Sequence, residues 1–96
     1  MENSAYVIDK EKIYLVNPTD LEQTTFRQLF NIKREFFEDI KLGKDDDNLN
    51  KENCWWYIAI KFKKNDLQHI LREVCRFNGD SDYVGQIGEY HLFWFD

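Results

Sequence analysis

The chain has 96 residues, a formal net charge of −5, and hydrophobic and aromatic contents of 43% and 17%. This length predicts one domain over residues 1–96 and excludes a second core, while the aromatic content excludes a disordered composition. The acidic balance argues against nucleic acid as the main ligand, because a protein that neutralises phosphates needs a basic surface.

Cysteine usage and the first residues of the chain predict a compartment. Cys54 and Cys75 are too few for a disulfide framework. The opening stretch MENSAYVIDKEK lacks the basic start and the apolar core of a signal peptide. No apolar run in the sequence is long enough to span a bilayer. We therefore expect a cytoplasmic chain with reduced thiols and no contact with membranes.

The first half of the chain predicts a β-hairpin and a long helix. The hairpin consists of the runs AYVID and IYLVN, which are rich in β-branched and aromatic residues. After it, Asn17 can cap a helix with Pro18 at its first position, and Thr19 followed by Glu22 is an alternative capping box. Apolar residues then recur at helical spacing from Phe26 to Ile40, and Gly43 is a natural stop signal. The pattern predicts one helix that ends at Gly43.

The second half of the chain predicts a strand, a helix and a strand-rich end. After a polar loop over residues 44–53, the run CWWYIAIKF alternates as a central strand does. The run NDLQHILREVCRFNG follows the helical face pattern, with Asn65 as its cap. The run DYVGQIGEYHLFWFD predicts one or two strands, with Gly85 and Gly88 marking a bulge or turn.

These elements predict an α+β fold in the order β-β-α-β-α-β. The sequence does not decide whether a further strand follows at the end. Two helices packed on one face of an antiparallel or mixed sheet of three to five strands would bury all the apolar stripes. We therefore expect that architecture.

The aspartate run Asp45–Asp47 does not fit a metal site. An EF-hand loop needs a glycine at its sixth position and a glutamate at its twelfth. Counted from Asp45, those positions hold Asn50 and Trp56, and counted from Asp46 the sixth holds Lys51. We expect no metal and no cofactor. The run is either a solvated loop or an acidic contact surface.

Nucleophilic catalysis requires a cysteine beside an oriented histidine. Cys75 lies on the apolar stripe of its predicted helix, where it is poorly aligned with His69. Cys54 and His91 fall on strands that this order allows to be neighbours. A small enzyme or ligand-binding domain with such a pocket between sheet and helices is therefore the alternative. No catalytic residue is assigned, and we expect the chain not to be an enzyme.

The strands carry more aromatic side chains than a single covered face of the sheet can bury. If the helices cover one face, the other forms a second apolar face, which usually marks an interface. A curled sheet or a covering loop is the competing explanation. The surrounding charges are acidic, and carboxylates around aromatic anchors suit a basic protein surface. The predicted partner-binding residues are Asp45, Asp46, Asp47, Trp55, Tyr57, Asp80, Asp82, Glu89, Phe93 and Phe95.

The function expected from these features is that of a small acidic inhibitor that binds a basic protein. An immunity protein that neutralises a nuclease-type toxin fits this description, and so does a phage-encoded inhibitor of a nucleic-acid-handling complex. The basic cluster Lys61, Lys63 and Lys64 is interpreted as a solvated strand end. Direct nucleic-acid binding is therefore not expected, and self-association is left open.

Overall fold

The computed structural model describes residues 4–8, 10–30, 34–51, 56–64, 66–77 and 81–95, and in this part of the chain six antiparallel strands form one sheet. The strands are β1 (Ser4–Ile8), β2 (Glu11–Val16), β3 (Phe37–Asp45), β4 (Tyr57–Phe62), β5 (Ser81–Ile87) and β6 (Tyr90–Phe95). The helices are α1 (Asp20–Phe30) and α2 (Leu67–Phe77), and a 3-10 turn spans Arg34–Phe36. The strands lie in the spatial order β1-β2-β3-β4-β6-β5.

The predicted fold class is wrong in the number of strands and in how the sheet is covered. A sheet of three to five strands with two helices on one face is expected from the sequence, whereas the described residues form a curled sheet of six strands. The error begins in residues 37–43, which the helical pattern assigns to the end of one long helix and which belong to β3. The order along the chain is β-β-α-β-β-α-β-β.

A β-bulge explains why β3 resembles a helix in sequence. The pairing of β3 with β4 slips between Phe37 and Asp39. The extra residue brings Phe37 and Ile40 to the same side of the sheet, where both are buried. Two buried residues three positions apart imitate the helical repeat. Beyond the bulge, Ile40 and Leu42 are buried on either side of the less buried Lys41, as strand residues are.

The sequence predicts the first hairpin, the alternative capping box of α1 and the presence of helix α2 correctly. The β1–β2 hairpin is confirmed. In the capping box, Thr19 N donates to Glu22 Oε2 at 2.7 Å and Glu22 N donates to Thr19 Oγ1 at 3.2 Å. Helix α2 is also confirmed, and His69 N donates to Asp66 Oδ1 at 3.2 Å; the predicted cap Asn65 lies outside the described residues. Neither helix is long and apolar enough to cross a membrane, as judged on the described residues.

Both faces of the sheet are buried, but in different ways. One face packs against α1 and α2, and the buried residues there form the helix-side core: Phe26, Phe37, Ile40, Leu42, Ile58, Ile60, Ile70 and Phe93. The other face curls, and its buried residues form the barrel-side core: Ile13, Leu15, Tyr57, Ala59, Ile87 and Leu92. The curl brings the edge strands β1 and β5 together: Ile8 Cδ1 lies 3.7 Å from the position that a Cβ on Gly85 would take. Curling of the sheet therefore buries most of the second apolar face.

Candidate functional site

A row of paired residues places aromatic and acidic side chains at one end of the barrel side. Gly43 of β3 pairs with Tyr57 of β4. Tyr57 pairs in turn with Trp94 of β6, which pairs with Asp82 of β5. Directly opposed residues share a face of a sheet, so these side chains lie side by side. Asp45 follows Gly43 by two positions on β3 and faces the same way.

Gly43 makes room for the ring of Tyr57. A Cβ on Gly43 would lie 2.8 Å from the Cβ of Tyr57 and 3.2 Å from Leu92 Cδ1. The tyrosine crosses β3 at this point, and its hydroxyl donates a hydrogen bond to Glu11 Oε2 on β2 at 2.8 Å. Burial, this hydrogen bond and the nearby charges of Glu11 and Asp45 raise the pKa of the Tyr57 phenol well above its ordinary value. The phenol stays neutral and holds the carboxylate of Glu11 in position.

These side chains line an open pocket of about 370 Å³, which we call the acid–aromatic pocket. Its lining combines three carboxylates, three aromatic rings and one aliphatic side chain. The lining residues are Glu11, Asp45, Trp56, Tyr57, Asp82, Val84 and Trp94. Of the described residues that line it, none is basic, so no lining side chain offsets the carboxylate charge.

Asp45 differs from the two aspartates that follow it because it is part of the fold. Its Oδ1 accepts hydrogen bonds from Asn48 N at 3.0 Å and from Asn48 Nδ2 at 2.7 Å. Asn48 is only 4% exposed, so these bonds fix a buried polar residue and close the turn after β3. Asp46 and Asp47 are exposed on that turn. The aspartate run thus contains one structural residue at the pocket and two that face solvent.

Replacing Asp45 by alanine is expected to lower the free energy of unfolding by about 1–2 kcal/mol, because Nδ2 of the nearly buried Asn48 loses this acceptor, while Asn48 N keeps its bond to the Asp45 carbonyl at 3.1 Å. The matched control is Asp47→Ala, which removes the same charge from an exposed position and is expected to change stability by less than about 0.5 kcal/mol. Urea denaturation measures both. Equal effects of the two substitutions would show that the hydrogen bonds to Asn48 contribute nothing.

The structure brings some of the predicted partner-binding residues together. Those that line the acid–aromatic pocket are Asp45, Tyr57 and Asp82. Asp46 and Asp47 are exposed on the turn that follows Asp45. Trp55 and Asp80 lie outside the described residues, and so does the side chain of Phe95.

The remaining predicted positions lie elsewhere in the sheet and differ in burial. Phe93 is fully buried in the helix-side core, and Tyr57 is 7% exposed, so neither ring is an exposed anchor. The alternation along β6 is predicted correctly, but the face with Phe93 is the one that the helices cover. Glu89 lies in the β5–β6 turn at the end of the sheet away from Asp82, and its Oε2 is 3.0 Å from Lys61 Nζ.

Glu11, Trp56 and Trp94 join the site although the sequence does not predict them. Trp94 shares a strand face with Leu92 and resembles a core residue, while Glu11 lies beside a polar hairpin turn. What unites them is the register between strands that are distant along the chain. Spacing along the sequence carries no signal for that register.

Of the residues in the alternative enzyme hypothesis, the structure describes His69 and His91, which differ in burial. His91 is 2% exposed, its Nδ1 lies 3.2 Å from the Tyr83 hydroxyl, and burial lowers its pKa. His69 is exposed on α2. Cys54 and the side chain of Cys75 lie outside the described residues. Among the described side chains, no three His, Cys, Asp or Glu residues form a group that could hold a metal ion.

The lining of the acid–aromatic pocket suits an organic cation. Aromatic faces attract ammonium and guanidinium groups, and carboxylates accept charge-assisted hydrogen bonds from them. Trp56 and Trp94 are half-buried and pack against the barrel-side core, which holds both rings in place. Comparisons with family models, curated proteins and solved structures find no match to this chain. The function is therefore argued from the chemistry of this pocket.

Proposed function

We propose that this protein is a small acidic inhibitor that binds a basic protein partner. The acid–aromatic pocket receives a lysine or arginine side chain of that partner. The observation that carries the proposal is the lining of the pocket, where Trp56, Tyr57 and Trp94 stand beside three carboxylates. An aromatic surface that is already held in place by the core loses little entropy on binding, and nearby carboxylates select a cation.

The distribution of charge supports a basic partner. At the far end of the sheet, Glu38 and Glu89 lie 3.3 and 3.0 Å from Lys61 Nζ, so their charges are partly offset. At the pocket end, every charged lining residue is acidic, and Asp46 and Asp47 are exposed on the adjacent turn, where Lys12 lies near Asp46. With a net charge of −5, this asymmetry turns the pocket end toward a positively charged surface during encounter.

An inhibitory role follows from what such a partner uses its basic surface for. Proteins that cut or handle nucleic acid carry lysine and arginine where phosphates bind. A carboxylate-rich pocket that captures one of these side chains competes directly with the phosphates. A nuclease-type toxin and a nucleic-acid-handling complex both present such a surface, so both remain partner classes for this proposal.

The proposal is tested by capturing the partner from the native host and titrating the purified complex with charge-matched variants. Asp82→Asn and Glu11→Gln each remove one pocket charge with little change of shape. Each is expected to weaken binding about tenfold or more, because close charge pairs across an interface couple by about 1.5 kcal/mol or more. The activity of the partner on nucleic acid is expected to fall when the unsubstituted chain is added.

Glu89→Gln is the control, since it removes the same charge at the opposite end of the sheet. It is expected to leave affinity nearly unchanged. If Glu89→Gln weakens binding as much as Asp82→Asn, the attraction is general and the pocket plays no special part. A captured partner without a basic surface contradicts the proposal outright.

A further inference from the structure

A second cleft lies on the helix side of the molecule, apart from the acid–aromatic pocket. It has a volume of about 420 Å³ and is bounded by the 3-10 turn, the end of β4 and the first turns of α2. Its lining residues are Glu35, Phe36, Phe62, Lys63, Lys64, His69 and Ile70. None of these residues lines the acid–aromatic pocket, so the two sites can be tested independently.

The walls of this cleft are held by contacts that do not depend on a ligand. Lys63 N donates to the Phe36 carbonyl at 3.1 Å, which ties the strand end to the 3-10 turn. The rings of Phe36 and His69 meet edge to face with centroids 5.8 Å apart. Ile70 is 2% exposed and anchors α2 to the helix-side core. The cleft is therefore formed before any ligand arrives, as most small-molecule sites are.

The cleft combines an apolar floor with a positively charged mouth. Phe36, Phe62 and Ile70 supply the floor. Lys63 and Lys64 are exposed at the mouth, and neither forms an ion pair with a described residue, in contrast to Lys61, which contacts two carboxylates. Glu35 is the single acidic residue among the described lining, so the mouth has an excess of positive charge.

We propose that this cleft binds a small organic acid with one carboxylate and an apolar body. The apolar body lies on the floor, and the carboxylate lies between the ammonium groups of Lys63 and Lys64, where charge-assisted hydrogen bonds form. The volume is in the range of small-ligand sites, about 300–1,000 Å³. A single negative charge matches the two lysines, whereas a polyanion is repelled by the acidic remainder of the chain.

The test compares 4-phenylbutyrate with its neutral amide, which has nearly the same shape, by heteronuclear NMR titration of the full chain. The carboxylate is expected to shift the amide signals of Lys63, Lys64, His69 and Ile70. It is also expected to bind at least about threefold more tightly than the amide, since the two exposed lysines add a modest charge-assisted attraction. Signals of Trp94 and Asp82 are expected to stay in place.

The double substitution Lys63→Gln and Lys64→Gln is expected to abolish the preference for the acid while leaving weak binding of the apolar body. Lys51→Gln is the matched control, because it removes an exposed cation elsewhere on the chain. Equal affinity for acid and amide overturns the proposal, as does a shift pattern outside the cleft or the absence of binding at millimolar concentration. None of these outcomes bears on the acid–aromatic pocket.

Discussion

Phe93→Ala is expected to lower the free energy of unfolding by about 3–5 kcal/mol, the cost of removing a fully buried phenylalanine ring and leaving a cavity. Phe93 is 0% exposed, lies opposite Ile58 across the β4–β6 pair, and meets the ring of Tyr83 at a centroid distance of 5.5 Å. A domain of this size is stable by only about 5–15 kcal/mol in total. The variant is therefore expected to be partly unfolded at physiological temperature, as chemical denaturation measures.

Phe93→Leu is the control for this prediction. Leucine keeps most of the volume and is expected to lose much less stability than alanine. The comparison also distinguishes the two roles that the sequence allows for this ring, which are a core residue and a contact for a partner. A variant Phe93→Ala that keeps its stability but loses partner binding would place the ring in an interface and contradict its assignment to the helix-side core.

Gly43→Ala is expected to lower the free energy of unfolding by about 1–3 kcal/mol through overpacking. The added Cβ would lie 2.8 Å from the Cβ of Tyr57, an atom so close to the backbone that no rotamer change moves it away. The strands must separate locally, and the tyrosine must leave its position over β3. The hydrogen bond from Tyr57 to Glu11 is expected to weaken at the same time, so the acid–aromatic pocket loses part of its wall.

Gly85→Ala provides the matched control. A Cβ there would lie 3.7 Å from two methyl groups of Ile8, which is ordinary contact. Alanine also reduces the freedom of the unfolded chain, so this variant is expected to be neutral or more stable by about 0.4–1 kcal/mol. Thermal denaturation of both variants measures the difference. If Gly43→Ala is as stable as Gly85→Ala, the close approach at Gly43 does not constrain the sheet.

Much of the local structure is predictable from the sequence, because it depends on residues close together in the chain. The capping box of Thr19 and Glu22 needs only two residues three positions apart. The apolar stripe of α2 and the β-branched runs of the first hairpin are likewise short patterns. The strand at residues 37–45 is different, since its bulge produces a helical spacing between Phe37 and Ile40. Here tertiary pairing overrides the local period.

The candidate site is only partly predictable, for a related reason. The sequence indicates carboxylates near aromatic rings, and Asp45, Tyr57 and Asp82 do line one pocket. Trp94 joins them because β6, and not β5, is the neighbour of β4 in the sheet. Glu11 joins them because Gly43 lets the tyrosine side chain cross a strand. The first cause is the order of strands in the sheet, and the second is one close contact at Gly43. Neither can be predicted from the spacing of residues along the chain.

The position of β6 inside the sheet also has a kinetic consequence. The hairpins β1–β2 and β5–β6 join neighbouring segments, whereas β6 meets β4 only after α2 and β5 have intervened. Loop-closure entropy delays such a non-local pairing relative to the hairpins. We expect the hairpins to form early and the non-local pairings of β2 with β3 and of β4 with β6 to limit the folding rate. Because Tyr57 and Trp94 meet only across β4 and β6, the acid–aromatic pocket forms only when that pairing is complete.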